Sequence, residues 1–338
     1  MRYQELGKTG MQVSVLSCGS NALRGYTYDE AKIAYNSALD NGINLIETGR
    51  PYGDETEDRI AAAVSHRRDE FYLASKTAKK TAVEAMQEID KSLEVLRTDY
   101  IDIFQIAGVS NQQDLQRMMG PGGSLESLKK AKTAGKIGHI GMTGHKPEVL
   151  ADAVRTGEIE TVLFIFNMVY REALDELMPL AKETRVGTMV MRPISHGELA
   201  PVTKSLAYVL TSGVDTAVCG MYSAAEVDEN VAVASIDFAP SEIVTIQEEG
   251  RSLSNNGCRN CGMCSCPQGI DIPYLLKMTP YRDRYGLFER GEKRWQEQAQ
   301  RARKCDDCKK CEDACPYNLS IADIIHKIAA RRVVEGVD

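Results

Sequence analysis

The chain has 338 residues, of which 43% are hydrophobic and 26% charged, and its formal net charge is −7. This length allows a large core domain together with a smaller one, and the composition is that of an ordinary globular protein. The acidic balance argues against nucleic acid or an anionic membrane as the main partner. No apolar run approaches the ~20 residues of a membrane span, and residues 1–6 lack the apolar core of a signal peptide, so we expect a cytoplasmic protein.

The first 240 residues alternate between short apolar strands and helices, after a predicted hairpin in residues 2–14. The predicted strands are residues 13–17, 43–48, 71–76, 100–106, 137–142, 161–166, 186–191 and 215–220. The predicted helices are residues 29–41, 55–66, 82–96, 123–134, 147–156, 172–183, 202–211 and 224–234. Strands that are apolar on both sides favour a parallel sheet covered on both faces, and eight such units predict a (β/α)8 TIM barrel over residues 1–240. A doubly wound open sheet is the alternative, but the Gly-x-Gly-x-x-Gly turn typical of it is missing after the first strand.

The rest of the chain is predicted to form a second, mostly α-helical domain. Residues 241–256 are predicted to be a connecting helix, and residues 257–338 a separate cysteine-rich domain. Within it we expect helices in residues 272–303 and a closing helix at 320–334 with one apolar stripe. The stripe consists of Ile321, Ile324, Ile325 and Ile328.

Eight of the ten cysteines lie in two runs near the carboxyl end. The second run, followed by Pro316, has the C-x2-C-x2-C-x3-C-P spacing of bacterial iron–sulfur proteins, and the first differs only in that one residue separates its last two cysteines. The fourth cysteine of such a run serves the other cluster, so we predict two 4Fe–4S clusters. One is predicted on Cys258, Cys261, Cys264 and Cys315, and the other on Cys305, Cys308, Cys311 and Cys266.

Other interpretations of the cysteines remain open. Two four-cysteine zinc sites are possible because C-x2-C steps suit tetrahedral zinc, although zinc ribbons usually offer pairs rather than runs of three. Disulfides are rare in a reducing compartment. The short interval between Cys264 and Cys266 departs from the motif at Cys266, while Cys18 and Cys219 are expected to be buried small hydrophobes.

Chemistry in such a barrel lies where strands end and helices begin. Tyr52 follows the second predicted strand, and Lys76 ends the third. A lysine ammonium beside a phenol lowers the tyrosine pKa from ~10, which makes the phenol a usable general acid for a carbonyl oxygen. The carboxylate of Glu47 would hold Lys76 charged. The plain alternative is a surface tyrosine and a surface lysine on loops.

Several segments resemble the aldo-keto reductase family, and the cysteine-rich tail resembles a branch of it with a ferredoxin-type extension. The matching segments are residues 3–14, 43–53, 100–106, 135–141 and 218–230. The resemblance implies hydride transfer between a nicotinamide cofactor and a small carbonyl or alcohol, using an Asp, Tyr, Lys, His tetrad. Tyr52 and Lys76 fall at the tetrad's tyrosine and lysine, and Glu47 stands for its aspartate.

The histidine position holds Ala107, which cannot donate a hydrogen bond to substrate. Losing such a donor typically costs ~10²–10³ in rate. His145, after the fifth strand, is a possible donor from another direction, although a lone loop histidine is more often structural.

The resemblance also implies a cofactor site, with departures. Thr143 and Gly144 stand where the family has a Ser-Asn pair for the carboxamide, and Met191 stands where a tyrosine stacks. Glu226 stands where the family often has a basic residue that holds the 2′-phosphate of NADPH. The Glu226 carboxylate would repel this phosphate, so we expect NADH to be preferred to NADPH. The predicted cofactor-binding residues are Thr143, Asn167, Met191, Arg192, Gly220, Ser223 and Asn230.

We therefore predict an iron–sulfur oxidoreductase that couples hydride transfer at Tyr52 and Lys76 to an external electron carrier through two clusters. Nicotinamide takes two electrons and a cluster passes one at a time, so a flavin stays open as a connector, although the sequence has no flavin motif. The alternative is a non-catalytic redox-relay or binding protein in a larger complex, motivated by Ala107. Non-redox chemistry with purely structural clusters is a third reading, and the substrate and oligomeric state stay open.

Overall fold

A computed structural model describes residues 1–253 and 258–331, and the chain divides into two compact units. The first consists of residues 1–166, 172–193 and 212–237. The second consists of residues 167–171, 194–211 and the described residues from 238 onward. The domain limits 1–240, 241–256 and 257–338 stay a prediction, and the boundary between residues 256 and 257 lies outside the described residues.

The first unit is built around a closed barrel of parallel strands. An antiparallel hairpin of β1 (Tyr3–Glu5) and β2 (Gln12–Ser14) precedes it. The barrel strands are β3 (Leu16–Gly19), β4 (Leu45–Glu47), β5 (Tyr72–Thr77), β6 (Ile101–Ile106), β7 (Ile137–Gly144), β8 (Thr161–Ile165), β9 (Gly187–Met191) and β10 (Thr216–Gly220). Neighbours along the chain pair in register, and β10 pairs with β3 to close the ring. The predicted (β/α)8 barrel is confirmed, and the open-sheet alternative is wrong.

The barrel interior is packed with apolar side chains. Leu45, Ile103 and Met189 belong to one buried cluster, which Leu6 and Val13 of the hairpin complete. The sequence assigned residues 13–17 to the first barrel strand, whereas Val13 pairs with Gln4 in the hairpin and β3 begins at Leu16. The reason is that Val13 buries its side chain in the barrel core from the hairpin, so one apolar run serves two elements.

Helices follow the barrel strands, as predicted, and continue into the C-terminal region. Those up to residue 234 are α1 (Tyr28–Asp40), α2 (Asp54–Val64), α3 (Ala82–Leu96), α4 (Gln112–Met119), α5 (Ser124–Thr133), α6 (Pro147–Arg155), α7 (Leu177–Thr184), α8 (Val202–Leu210) and α9 (Ala224–Ala234). The later ones are α10 (Pro240–Ser252), α11 (Ile272–Tyr285), α12 (Glu289–Ala302), α13 (Lys310–Asp313) and α14 (Ile321–Ala329). The sequence missed α4, although Asn111 caps it by accepting the Asp114 N–H at 2.9 Å, a typical start signal.

The second unit contains α8 and α10–α14. Trp295 of α12 is fully buried, and its indole N–H donates to the Thr279 hydroxyl of α11 at 2.9 Å. Of the predicted stripe on α14, Ile321, Ile325 and Ile328 are buried, whereas Ile324 is only half-buried. Residues 332–334 of the predicted closing helix lie outside the described residues. Within the described ranges, no helix combines the length and apolar character needed to cross a membrane.

Candidate functional site

The predicted catalytic residues meet inside the first unit. The ammonium of Lys76 contacts the Glu47 carboxylate, donates to the Thr48 carbonyl oxygen at 2.9 Å and lies 4.1 Å from the centre of the Tyr52 ring. Glu47 and Lys76 retain only 3% and 5% of their exposure, so this ion pair is shielded from water. The alternative that Lys76 is an ordinary surface lysine is wrong.

A buried network that the sequence did not reveal holds the loop of Tyr52. Arg50, in the same 3-10 turn, donates to Glu57 of α2 at 2.6 Å. Glu57 is fully buried and also accepts the hydroxyl groups of Ser75 at 2.8 Å and Ser92 at 2.9 Å. Ser75 precedes Lys76, so one carboxylate ties the Tyr52 loop to the strand of its lysine. The sequence signal is weak, because an arginine and a glutamate seven residues apart are common.

Gly49 makes room for the lysine. A methyl group on Gly49 would lie 2.3 Å from Cγ of Lys76, although its extended backbone suits any residue. Residues 47–53 read Glu-Thr-Gly-Arg-Pro-Tyr-Gly, whereas the family segment that they resemble reads Asp-Thr-Ala-x-x-Tyr-Gly. The longer carboxylate arm and the missing methyl group therefore occur together around the same side chain.

The direction of the Tyr52 pKa differs from the sequence-based expectation. Burial raises the pKa of Tyr52 and Glu47 raises it further, which outweighs the lowering by Lys76 and Arg192. Burial lowers the pKa of Lys76, but Glu47 and Tyr52 more than offset this and raise it overall. The expected lowered phenol pKa is wrong, whereas a lysine held charged by Glu47 is confirmed.

Ala107 and His145 follow β6 and β7. Ala107 is buried, and its backbone N–H donates to the Thr77 carbonyl oxygen at 2.7 Å. Desolvation and the positive charge of Arg192 lower the pKa of His145, so its imidazole is neutral at neutral pH. A neutral imidazole still carries one N–H donor.

Polar atoms beside Lys76 give an observation about ligands. Gln105 is the backbone partner of Lys76 on β6, so both side chains lie on the same face of the barrel wall. Within residues 1–253 and 258–331, Gln105 Oε1 and Thr48 Oγ1 are buried without a hydrogen-bond partner. Buried polar atoms are normally paired, so a polar ligand or a water fits beside them.

Six of the seven predicted cofactor residues belong to the first unit. Thr143 is buried on β7, Met191 ends β9 half-buried, and Arg192 next to it has a left-handed backbone with φ of 58°. Gly220 is exposed at the end of β10, while Asn230 is buried on α9. Asn167 belongs to the second unit, where its side chain accepts two backbone N–H groups.

The amino terminus of α9 is engaged by the chain itself. Ser223 caps the helix by accepting the Glu226 N–H at 3.2 Å, and the Glu226 carboxylate accepts the Tyr222 N–H at 2.7 Å. The Tyr222 ring stacks on that of Tyr26, with centres 4.6 Å apart. A phosphate held by the backbone after Gly220 would therefore compete with Glu226 for the Tyr222 N–H.

One predicted set of cluster ligands lines a single cavity in the second unit. These residues are Cys258, Cys261, Cys264 and Cys315. Its apolar walls include Ile272, Leu276, Leu319 and Ile321. Burial raises the pKa of the Cys264 thiol, and the thiols of Cys258, Cys261 and Cys315 add to the effect. Four thiols around one largely apolar cavity fit a 4Fe–4S cluster.

The other predicted set connects to the first through Cys266. The carbonyl of Cys266 accepts the Gly269 N–H at 3.0 Å, and the Gln268 side chain between them donates to Asp306 at 3.2 Å. The segment after Cys266 thus lies against the second cysteine run, as the crossed pairing requires. Cys308 is exposed, and Cys311 lies on α13.

Two residues that the sequence did not single out lie beside Cys305. Ligand atoms of Cys305, Asp307 and His326 are within 4.8 Å of one another. The Asp307 carboxylate accepts a hydrogen bond from Nε2 of the His326 ring at 2.7 Å. No spacing rule joins His326 to the cysteine run, because the contact arises from the packing of α14.

Comparisons with known proteins agree with this geometry. Residues 15–204 match the model of the aldo/keto reductase family, and residues 257–320 match that of a 4Fe-4S dicluster domain. An aldo-keto reductase of Bacillus subtilis, YhdN, is 27% identical over 217 residues, which cover 59% of this chain and 64% of that protein. L-galactose dehydrogenase of Arabidopsis thaliana is 26% identical, with 59% of this chain and 67% of the relative covered. The chain thus spans slightly less than two thirds of the YhdN sequence.

Solved structures show the same fold. The holo form of aldo-keto reductase AKR11C1 from Bacillus halodurans superimposes with a TM-score of 0.64 at 21% identity, covering 74% of this chain and 96% of that one. An aldo-keto reductase from Klebsiella pneumoniae in complex with NADPH gives 0.62 at 19% identity, covering 73% and 94%. With its family match over more than half of its residues, the chain belongs to the aldo/keto reductase family of oxidoreductases and carries a 4Fe-4S dicluster domain near its carboxyl end.

Proposed function

We propose that this protein interconverts a small carbonyl compound and its alcohol with a nicotinamide cofactor, and exchanges electrons with an external carrier through two 4Fe–4S clusters. The observation that carries the proposal is the shielded contact of Lys76 with the Glu47 carboxylate and the Tyr52 ring. Burying the Lys76–Glu47 ion pair has a large desolvation cost, which packing alone does not explain. An ammonium held beside a phenol is the arrangement that proton donation to a carbonyl oxygen needs.

Each residue of the group has its own role. The Tyr52 hydroxyl donates a hydrogen bond to the substrate carbonyl oxygen and gives up its proton as negative charge develops there. Lys76, whose pKa is raised overall by Glu47 and Tyr52 against the lowering effect of burial, stabilises the phenolate that is left. Glu47 keeps the ammonium in place. When bound, the nicotinamide supplies or accepts hydride, and the clusters carry single electrons.

In this proposal the cofactor is NADH rather than NADPH, and it is held by the six predicted binding residues of the first unit, whereas Asn167 is a predicted binding residue of the second unit. The NADPH complex of the Klebsiella protein supports a nicotinamide as the cofactor class. Glu226 on this chain supports NADH, because a carboxylate at the amino terminus of α9 repels an additional phosphate. The proposal includes cytoplasmic residence, where the cysteines stay reduced for cluster assembly.

The proposed chemistry is tested with anaerobically purified, cluster-loaded protein, NADH, and a panel of aldehydes and quinones. Tyr52→Phe removes the proton donor and should lower turnover by ~10²–10⁴ without changing the affinity for NADH. Tyr28→Phe is the matched control, because Tyr28 is 45% exposed and should be silent. Equal turnover by the Tyr52 variant and the parent would contradict the proposal.

A second candidate is a non-catalytic relay or binding protein in a larger complex. It is favoured by Ala107 at the tetrad's histidine position and by the Glu226 carboxylate on the Tyr222 N–H. Calorimetry separates the two candidates, because a relay predicts little or no heat on addition of NADH to the cluster-loaded protein. Micromolar or tighter binding would remove this alternative.

A further inference from the structure

Residues 167–171 follow β8 along the chain and belong to the compact unit of the C-terminal helices. Asn167 closes this segment into a turn. Its side-chain oxygen accepts the backbone N–H groups of Val169 and Tyr170 at 2.9 Å, and its own N–H donates to the Tyr170 carbonyl at 3.0 Å. A single asparagine side chain therefore sets the shape of the turn, as is typical of such loops.

Lys277 of α11 holds the same turn from outside. Its ammonium donates to the Val169 carbonyl oxygen at 3.1 Å and lies 5.1 Å from the centre of the Tyr170 ring. Only 9% of Lys277 is exposed. A buried ammonium is costly unless it has partners, so these contacts with the turn offset part of the cost of burying the charge.

Helix α11 also forms part of the wall of the cysteine cavity. Ile272, Pro273 and Leu276 line the cavity that Cys258, Cys261, Cys264 and Cys315 surround. Leu276 is the residue immediately before Lys277. One helix therefore contacts both the predicted site of the cluster on these four cysteines, hereafter the first cluster, and the turn of residues 167–171, hereafter the Asn167 turn.

We propose that Lys277 is a positioning residue that couples the redox state of the first cluster to the shape of the Asn167 turn. The proposal rests on the proposed function, which assigns a cluster to these four cysteines and cofactor binding to Asn167. A cluster held by these four cysteines would gain one negative charge with one electron from an external reductant, and that charge would attract the buried ammonium. Lys277 then gives up part of its bond to the Val169 carbonyl, and the turn loosens.

Coupling of this kind acts in both directions. A ligand that stabilises the turn must make the first cluster harder to reduce, by the same free energy by which reduction weakens the binding of that ligand. In this way an electron on the cluster favours release of a cofactor that needs the ordered turn, and an oxidised cluster favours its binding.

Amide hydrogen exchange at Asn167, Val169 and Tyr170 tests the coupling, because these three N–H groups make the bonds of the turn. The full chain is compared anaerobically with oxidised clusters and after reduction by dithionite. Reduction should speed exchange about two- to tenfold, the range for one net hydrogen bond. Lys277→Met should exchange fast in both states, and Lys277→Arg should retain part of the difference. Lys293→Met, at an exposed lysine of α12, should behave as the parent.

Identical exchange in the oxidised and reduced parent would overturn the proposal, and so would a full redox-dependent difference in the Lys277→Met variant. The readout needs neither nicotinamide nor substrate, so absent turnover with NADH leaves it standing. Protein without iron at these cysteines would overturn the proposed function and the coupling together, and its missing visible absorbance identifies that outcome before exchange is measured.

Discussion

Tyr52 is half-buried, and its surroundings have opposing effects on the pKa of its hydroxyl group. Burial and Glu47 favour the neutral phenol, and Lys76 and Arg192 favour the phenolate. The neutral form wins, so the phenol is ready to donate at neutral pH without any prior protonation step. In the proposed reaction the charged lysine would therefore act mainly after the proton has left.

The pH dependence of carbonyl reduction follows from this balance. The pKa of Tyr52 is raised, and so is that of Lys76, so both stay protonated up to at least their ordinary values of ~10. The rate of carbonyl reduction should stay level through neutral pH and fall only above about pH 10. Single-turnover rates measured from pH 6 to pH 11, with circular dichroism as a check on folding, test this. A fall centred near pH 8 would contradict the raised pKa.

Gly49 gives a second prediction at this scale. In Gly49→Ala the added methyl group would lie 2.3 Å from Cγ of Lys76, so the lysine must move away from Glu47 or Tyr52. We expect a loss of about 1–3 kcal/mol in the free energy of unfolding and a lower turnover. The double variant Glu47→Asp with Gly49→Ala restores the family's pair and should recover part of both losses. Additive losses in the double variant, measured by urea denaturation and kinetics, would show that the two positions are independent.

Among the secondary-structure elements, α9 is the one whose end bears most directly on the proposed cofactor binding. Its first turn is satisfied by Ser223 and by the Glu226 carboxylate, which also lies toward the aromatic pair of Tyr26 and Tyr222. A helix amino terminus attracts anions, and here the chain supplies its own.

Removal of that carboxylate should improve cofactor binding. Glu226→Ala frees the Tyr222 N–H and deletes a negative charge, so we expect NADH to bind about tenfold more tightly, the worth of one charge-assisted hydrogen bond. Calorimetry of the cluster-loaded protein measures this, with Asp228→Ala, at an exposed acid of the same helix, as the control. Unchanged or weaker binding of NADH would show that Glu226 does not compete with the cofactor.

The elements also show how far the sequence could take the prediction. The barrel strands were predictable because residues such as Ile101 and Ile103 are apolar on a fixed period and lie between helices. Helix α4 was missed because most of its residues are polar and only Leu115 and Met118 are buried. Its N-cap residue, Asn111, lies in a polar segment whose sequence is also typical of a loop. Val13 was assigned to the wrong element because a short apolar run does not tell a hairpin strand from a barrel strand.

At the scale of the whole molecule, the strand–helix alternation predicted the barrel and the cysteine spacing predicted the 4Fe-4S domain, but neither predicted how distant residues meet. The cysteine spacing predicted which four thiols share a cavity before the fold was known. The direction of the Tyr52 pKa was not predictable, because burial depends on tertiary packing. The bond between Lys277 and Val169 joins positions 108 residues apart, and no local pattern indicates it.

The central claim, that this barrel enzyme works with two iron–sulfur clusters, is tested most directly by metal and sulfide analysis of anaerobically purified protein. The account predicts about eight iron atoms and about eight sulfides per chain, with roughly half of each lost in Cys315→Ser. Colourless protein that contains zinc in place of iron would contradict it.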